Sequence, residues 1–293
     1  MAKNKPVVSR KTRRITMDII VHVFLSIVAI VWILPFVYLI GQSLRNTGFD
    51  GLDTTSFFPK QYGFQNFVRL FTETGTVNFP QMFLNTFIVA ACSCTIGTFF
   101  VLAVSYSLSR LKWKLRKPYM NMGMVITLFP GFMSMTATYF LLKAMGLTEG
   151  SKVLLGLIIC NCAGVGVGFH VMKGYMDTIP KALDEAAYLD GATKWQTYTR
   201  ITLPLCKPMI VYQLVTAFMG PWCDFIFARL IIRDQKQYYT VSVGLWDMLK
   251  LDSINSYFTR FCAGAVVVAI PISILFMITQ RFYQEAMSGS VKG

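Results

Sequence analysis

The chain has 293 residues, of which 54% are hydrophobic and 14% charged, against about 25% charged in an average soluble domain. So few charges cannot clothe a soluble core of this size, and the positive mean hydropathy points to a membrane. The net charge of +14 does not indicate a nucleic-acid partner, because the Lys and Arg residues stand in short blocks between long apolar runs rather than on one polar face.

A bilayer core of about 30 Å takes about 20 apolar residues of helix, and six segments qualify. Residues 1–18 form a segment that is basic from Lys3 to Arg14. The run behind it, 19–42, is too long for a signal peptide and lacks a small-residue cleavage site, so it reads as a retained first span, interrupted at Pro35. The transmembrane domain then occupies 19–293. The second span lies near 83–108, and the third near 119–142, broken at Pro130-Gly131. The fourth lies near 153–172, the fifth near 208–227, broken at Gly220-Pro221, and the sixth near 261–280, with Pro271 inside. Such breaks are tolerated in membranes because neighbouring helices satisfy the freed backbone groups. With the N-terminus inside, the inner segments hold 18 Lys and Arg and the outer loops 10. That excess puts both termini in the cytoplasm. The block Arg110, Lys112, Lys114, Arg116, Lys117, free of acids, anchors the orientation.

The span centres hold no ionisable residue. His22 and His170 sit near inner ends, and Asp224 near the outer end of the fifth span. This argues against a proton- or sodium-driven carrier, whose relay needs such groups, and against an enzyme with a general acid–base pair. No phosphate-binding G-x-x-x-x-G-K-[ST] loop occurs, so any ATP is bound by another chain, and no cofactor is expected on this one. The pairs Cys92/Cys94 and Cys160/Cys162 suggest metal ligands, but residues two apart on a helix point about 200° apart. They read as small buried side chains, with neither metal site nor disulfide expected.

The inner loop 173–207 has its own structure. Pro180 opens a helix. Leu183, Ala186, Ala187 and Asp190 share one face by spacing, and Gly191 stops it with a left-handed cap. Thr193 and Gln196 have capping-box spacing, so a second short helix runs to about Thr202, before Pro204. The small face at Ala186-Ala187 suits close approach by a partner. A hairpin lying flat on the membrane would want basic flanks, whereas this one carries Asp184, Glu185 and Asp190.

The segment Glu185-Ala186-Ala187, Asp190-Gly191-Ala192, Ile201, Leu203-Pro204 and Pro208 resembles the EAA signature of ABC importer permeases. Residues 41–48, 129–146, 170–178, 238–245 and the C-terminal segment resemble the second permease of maltose and maltodextrin importers. The resemblance implies an all-α membrane protein of the type I importer fold, six spans with a cytoplasmic EAA coupling hairpin, in a bacterial cell membrane. It implies as partners a sister permease, two ATPase subunits that hold ATP and Mg, an extracellular sugar-binding protein and membrane lipid. It implies that Glu185, Ala186, Ala187, Asp190 and Gly191 dock in a cleft of the ATPase, Glu185 facing a basic group there. The tail 281–293 would reach between ATPase subunits through Val291, Lys292 and Gly293. The outer loop at Arg233, Gln237, Tyr238, Tyr239 and Thr240 would meet the binding protein. The family's Trp-Asn pair in the fifth span is here Trp222-Cys223. Trp222, Asp224 and Phe225, near the outer mouth, are candidates for the sugar path. The implied cargo is a maltodextrin-type oligosaccharide, with a galactoside or plant-glycan fragment as the alternative. From other classes, an ion-coupled secondary carrier would show uptake that survives loss of ATP and fails without an ion gradient. A membrane receptor or scaffold would purify without an ATPase.

Overall fold

The structure is a computed structural model that describes residues 10–289 except 47, 49, 53–55, 76, 129 and 251, and side chains at these except 10–14, 127, 165–167 and 283–289. Helix α1 (Arg10–Ser43) is followed by the short α2 (Gln65–Thr72) and the long α3 (Phe79–Arg110). Next come α4 (Arg116–Thr127), α5 (Gly131–Ala144), α6 (Lys152–Val167) and α7 (Phe169–Thr178). The hairpin comprises α8 (Ala182–Leu189), α9 (Lys194–Thr197), a π-helical turn Tyr198–Thr202 and α10 (Leu203–Leu205). The chain closes with α11 (Lys207–Cys223), α12 (Ile226–Ile232), a 3-10 turn Lys236–Tyr238, α13 (Val241–Met248) and α14 (Ile254–Gly289). The sole pairing of strand type among the described residues is an isolated bridge, Arg45 with Tyr62.

Four stretches are long and apolar enough to cross a bilayer: Ile15–Ser43, Phe79–Arg110, Lys152–Thr178 and Ile254–Phe282. Two bent pairs bring the number to six if each is one span: Arg116–Ile126 with Gly131–Ala144, bent by 103°, and Lys194–Leu205 with Lys207–Cys223, bent by 78°. The expected break at Pro130-Gly131 is the first of these bends. Two other expected breaks are absent. Pro35 lies inside an unbroken α1, and α11 runs through Gly220-Pro221 to end at Cys223. Pro221 lacks the N–H that would reach back one turn, and the helix stops two residues beyond it, at Cys223. The fourth span also outruns its expected inner end, because α7 continues to Thr178.

The chain divides into two compact units. The first is Met1–Leu70 with Leu251–Val266. In it α1 is apolar on all sides, with Ile20, Phe24, Trp32 and Phe36 exposed, as suits a helix whose surroundings are lipid or other helices. The stretch after α1 is tied by polar groups. Asn66 Nδ2 donates to the carbonyls of Ser43 at 3.0 Å and Arg45 at 2.8 Å. Asp50 accepts Arg69 at 2.7 Å, and its own carbonyl accepts the Thr259 N–H at 3.1 Å.

The second unit is Phe71–Lys250 with Val267–Gly293, and α3 is its spine, packed against α6, α7, α11 and α13. The sequence explains this. Ala90, Ser93, Cys94, Gly97, Thr98, Val101 and Ser105 recur at three- and four-residue spacing and are all buried, a stripe of small side chains that lets neighbouring helices approach closely. Ser105 Oγ donates to the Phe169 carbonyl at 3.1 Å, fixing α3 against α7. At the end of α3 near Arg110, a cluster of Val101, Tyr106, Met172, Met176, Ile179, Cys206 and Met209 forms the base on which the hairpin rests.

Candidate functional site

The hairpin is built by local rules. The Lys181 carbonyl accepts the N–H groups of Asp184 at 3.0 Å and Glu185 at 3.1 Å, opening α8 just after Pro180. Its end is a Schellman motif: the Gly191 N–H donates to Tyr188 at 3.1 Å and the Ala192 N–H to Ala187 at 2.9 Å. Gly191 has φ +81°, a conformation only glycine holds without strain. Thr193 then opens α9 with both bonds of a capping box, Gln196 N–H to Thr193 Oγ1 at 3.2 Å and Thr193 N–H to Gln196 Oε1 at 2.8 Å. Beyond Thr197 the expected simple helix is replaced by a π turn. Pro204 has no N–H to give, and the Leu203 N–H reaches back to the Tyr198 carbonyl in the wider register. The helix thus passes Thr202 and stops at Leu205, where the chain bends into α11.

The expected shared face of α8 is divided. Ala187 is buried together with Asp184, whereas Leu183, Glu185, Ala186, Leu189 and Asp190 are exposed. Leu189 is 90% exposed and Trp195, on α9, 68%. Glu185 is thus flanked by exposed apolar Leu and Trp side chains. The inward side is held by charge. Arg110 Nε lies 3.2 Å from Asp184 Oδ2, with side chains 2% and 9% exposed. Arg110 Nη2 donates to the carbonyls of Met176 at 3.0 Å and Ile179 at 2.9 Å. One guanidinium therefore joins α3, α7 and α8. Tyr106 adds a hydroxyl bond to the Lys194 carbonyl at 3.3 Å and a tilted ring contact with Tyr198, centroids 4.5 Å apart. In the sequence Arg110 served to orient the chain and Asp184 was only one more acid of the hairpin.

A cavity of about 740 Å³ opens among α5, α6 and α11. Its polar lining is neutral: Ser134, Thr138, Asn161, Tyr212, Gln213 and Thr216. Thr138 Oγ1 donates to the Ser134 carbonyl at 2.7 Å and Thr216 Oγ1 to Tyr212 at 3.0 Å, so their lone pairs stay available to a ligand. Sequence reasoning passed over these residues because it looked for charges. Asn161 and Gln213 inside apolar runs were the available signal.

Trp222, Asp224 and Phe225 do not line this cavity. Trp222 is buried against Phe83, centroids 5.0 Å apart, and Phe218 at 6.0 Å. Asp224 Oδ1 accepts the Phe227 N–H at 3.2 Å at the start of α12, and its carbonyl accepts the Ser242 hydroxyl at 2.6 Å. Phe225 makes a tilted ring contact with Trp246, centroids 5.0 Å apart. The loop after α12 is anchored to α3: Asn85 Nδ2 donates to the carbonyls of Gln237 at 3.0 Å and Tyr239 at 3.1 Å, and Thr86 Oγ1 accepts the Val241 N–H at 2.8 Å. Gly244 packs so closely on Met82 that a side chain there would overlap the thioether. Tyr239 and Thr240 are buried, Tyr238 is half-buried, and Arg233 and Gln237 are exposed. Arg229 donates to the Tyr239 hydroxyl at 2.7 Å and lies 3.5 Å from Asp247. Burial opposes the Arg229 charge, but the Tyr239 bond and Asp247 outweigh it and hold its pKa above the ordinary value. Burial likewise pushes the Tyr239 hydroxyl up from 10. Val291, Lys292 and Gly293 lie outside the described residues.

Residues 95–289 match the family described as binding-protein-dependent transport system inner membrane component. The maltodextrin transport system permease protein MalD of Streptococcus pneumoniae is 33% identical over 96% of this chain and 97% of its own length. The galactooligosaccharides transport system permease protein GanQ of Bacillus subtilis is 29% identical over 97% and 98%. A chain of a bacterial ABC transporter involved in import of the acidic polysaccharide alginate superposes with TM-score 0.75 at 21% identity, covering 95% of this chain and 100% of that one, a likeness of fold. The chain belongs to the binding-protein-dependent transport system inner membrane components: it is a multi-pass permease of the type I ABC sugar importer family, a transport subunit and not an enzyme.

Proposed function

We propose that this chain is the second permease of an importer that carries an uncharged oligosaccharide of maltodextrin type into the cytoplasm. In this reading it pairs with a sister permease, two ATPase subunits and an extracellular sugar-binding protein, with both termini cytoplasmic. ATP closes the ATPases, their clefts carry the hairpin inward, and the hairpin moves the spans as rigid bodies between outward- and inward-facing states. Glu185 and the exposed Leu183, Ala186, Leu189 and Trp195 form the docking surface, with Asp190 and Gly191 shaping its turn and Ala187 seating it. The tail residues Val291, Lys292 and Gly293 extend the same contact in this reading. Arg233, Gln237 and Tyr238 present the outer surface for the binding protein, with Tyr239 and Thr240 holding the loop.

The observation that carries the cargo assignment is the neutral lining of the 740 Å³ cavity. Hydroxyls and amides match sugar hydroxyls, while an acidic polysaccharide wants cations along its path. The likeness to GanQ keeps galacto-oligosaccharides as the second reading. Uptake by the reconstituted transporter, compared across a maltodextrin, a galacto-oligosaccharide and an oligouronate, tests this. Preference for maltodextrin is expected, and preference for the oligouronate overturns the assignment. Gln213→Ala and Asn161→Ala are expected to weaken uptake while leaving hairpin-dependent ATP hydrolysis in place.

A further inference from the structure

A second concavity adjoins the first, sharing Ile126 and Ala163 with it. It has a volume of about 560 Å³, and its walls come from α3 (Ile96, Phe100, Val104), α4 (Tyr119, Met122, Ile126) and α6 with Phe169. Its lining is apolar apart from Tyr119 and Cys162. Along α3 the walls run from Ile96 to Val104, about 12 Å at 1.5 Å per step, close to the depth of one leaflet of a bilayer core about 30 Å thick. Where the transport cavity offers hydroxyls and amides, this groove offers hydrocarbon.

Its end at Tyr119 meets the basic block. Arg116 stands three residues before Tyr119, on the groove side of α4. Lys112, Lys114 and Lys117 are exposed beside it. Two acids are near. Asp184 is taken by Arg110, and Asp177 by Lys173 and Ser109, with Arg116 also acting on it. Among the described residues no acid forms an ion pair with Lys112, Lys114 or Lys117. Trp113 and Tyr119 are exposed with ring centroids 6.1 Å apart, and Tyr119 leans on Phe169 at 5.8 Å. Such rings mark headgroup level at a membrane boundary.

We propose that this groove is a site for an anionic phospholipid of the leaflet on the basic block's side, its acyl chain between α3, α4 and α6 and its phosphate among Lys112, Lys114, Arg116 and Lys117. A helix of a sister permease would fill an apolar groove equally well, but it would leave that cation surplus unmatched. The proposal rests on the membrane reading alone and not on the cargo or the ATPase.

The test is lipid retention by the intact transporter, extracted in mild detergent, stripped, and titrated with phosphatidylglycerol or phosphatidylcholine of matched chains. Bound lipid is counted by native mass spectrometry. Phosphatidylglycerol is expected to be held about tenfold more tightly, since each Lys or Arg near an anionic headgroup contributes appreciably. Lys112→Gln/Lys114→Gln/Lys117→Gln, all at exposed positions, is expected to bring the two lipids level. Ile159→Trp, which fills the groove, is expected to lower retention of both. Equal retention of the two lipids by the unmodified transporter overturns the proposal. So does a cross-link from Met122→Cys to the sister permease in native membranes, which would show protein in the groove.

Discussion

The two ends of α3 are fixed by opposite chemistry. At one end Arg110 and Asp184 form a buried ion pair that clamps the hairpin. At the other, Asn85 and Thr86 hold the loop 237–241 with neutral hydrogen bonds, and the ions Arg229, Asp247 and Lys250 lie nearer solvent. A buried pair resists removal of either partner and fixes one orientation, whereas neutral bonds to backbone carbonyls yield in smaller steps. The hairpin is thus seated on a buried ion pair, and the opposite loop rests on amide contacts. Both rest on the same helix, whose small-residue stripe packs it against two other spans, α6 with α7 and α11.

The comparison breaks most visibly at Asp184. Asp184→Ala leaves Arg110 buried without its partner and is expected to destabilise by about 3–5 kcal/mol. Thermal melting of the purified transporter and proteolysis of the hairpin would read this. The double replacement Arg110→Met/Asp184→Leu is expected to recover most of that loss, and a double loss equal to the sum of the singles would contradict the pairing. Asn85→Ala at the opposite end is expected to be milder, about 1–3 kcal/mol, because two backbone carbonyls lose one donor. Gly191→Ala puts a side chain at φ +81°, and about 1–2 kcal/mol of left-handed strain is expected. Thr193→Ala removes one cap bond and is expected to lose about 1 kcal/mol. The smallest effect is that of pH. The raised Tyr239 pKa means that the fold favours the protonated hydroxyl, so its contribution is whole below 10 and is lost only as pH rises beyond that. Proteolysis of the 233–241 loop should therefore be flat through neutral pH and rise only in strong alkali.

What was legible in the sequence was what is local. Pro180, Gly191 and the Thr193–Gln196 pair act within a few residues of themselves, so the hairpin could be drawn from them. Of the six apolar segments, four coincide with single long helices, since bilayer thickness sets their length, and the other two with bent pairs. The rest depends on distant partners. Nothing near Arg110 announces Asp184, and the Ala186-Ala187 face divides because Asp184 turns its helix inward. Proline is a less exact stop than its local chemistry suggests: at Pro35 the helix continues, at Pro221 it runs on two residues, and ahead of Pro204 it widens to a π turn before ending at Leu205. The cavity escaped because neutral Asn161 and Gln213 carry no charge to mark them inside an apolar run.

The central claim is that the outward face of the hairpin is read by a partner, and Leu189→Asp tests it most directly. Leu189 is 90% exposed, so the fold has no use for it. ATP hydrolysis stimulated by the loaded binding protein, and sugar uptake, would be measured side by side in reconstituted vesicles, with the melting temperature as control. Unchanged melting with uptake and stimulated hydrolysis both lowered at least tenfold is the predicted result. Uptake and stimulation at the level of the unmodified protein would contradict the account.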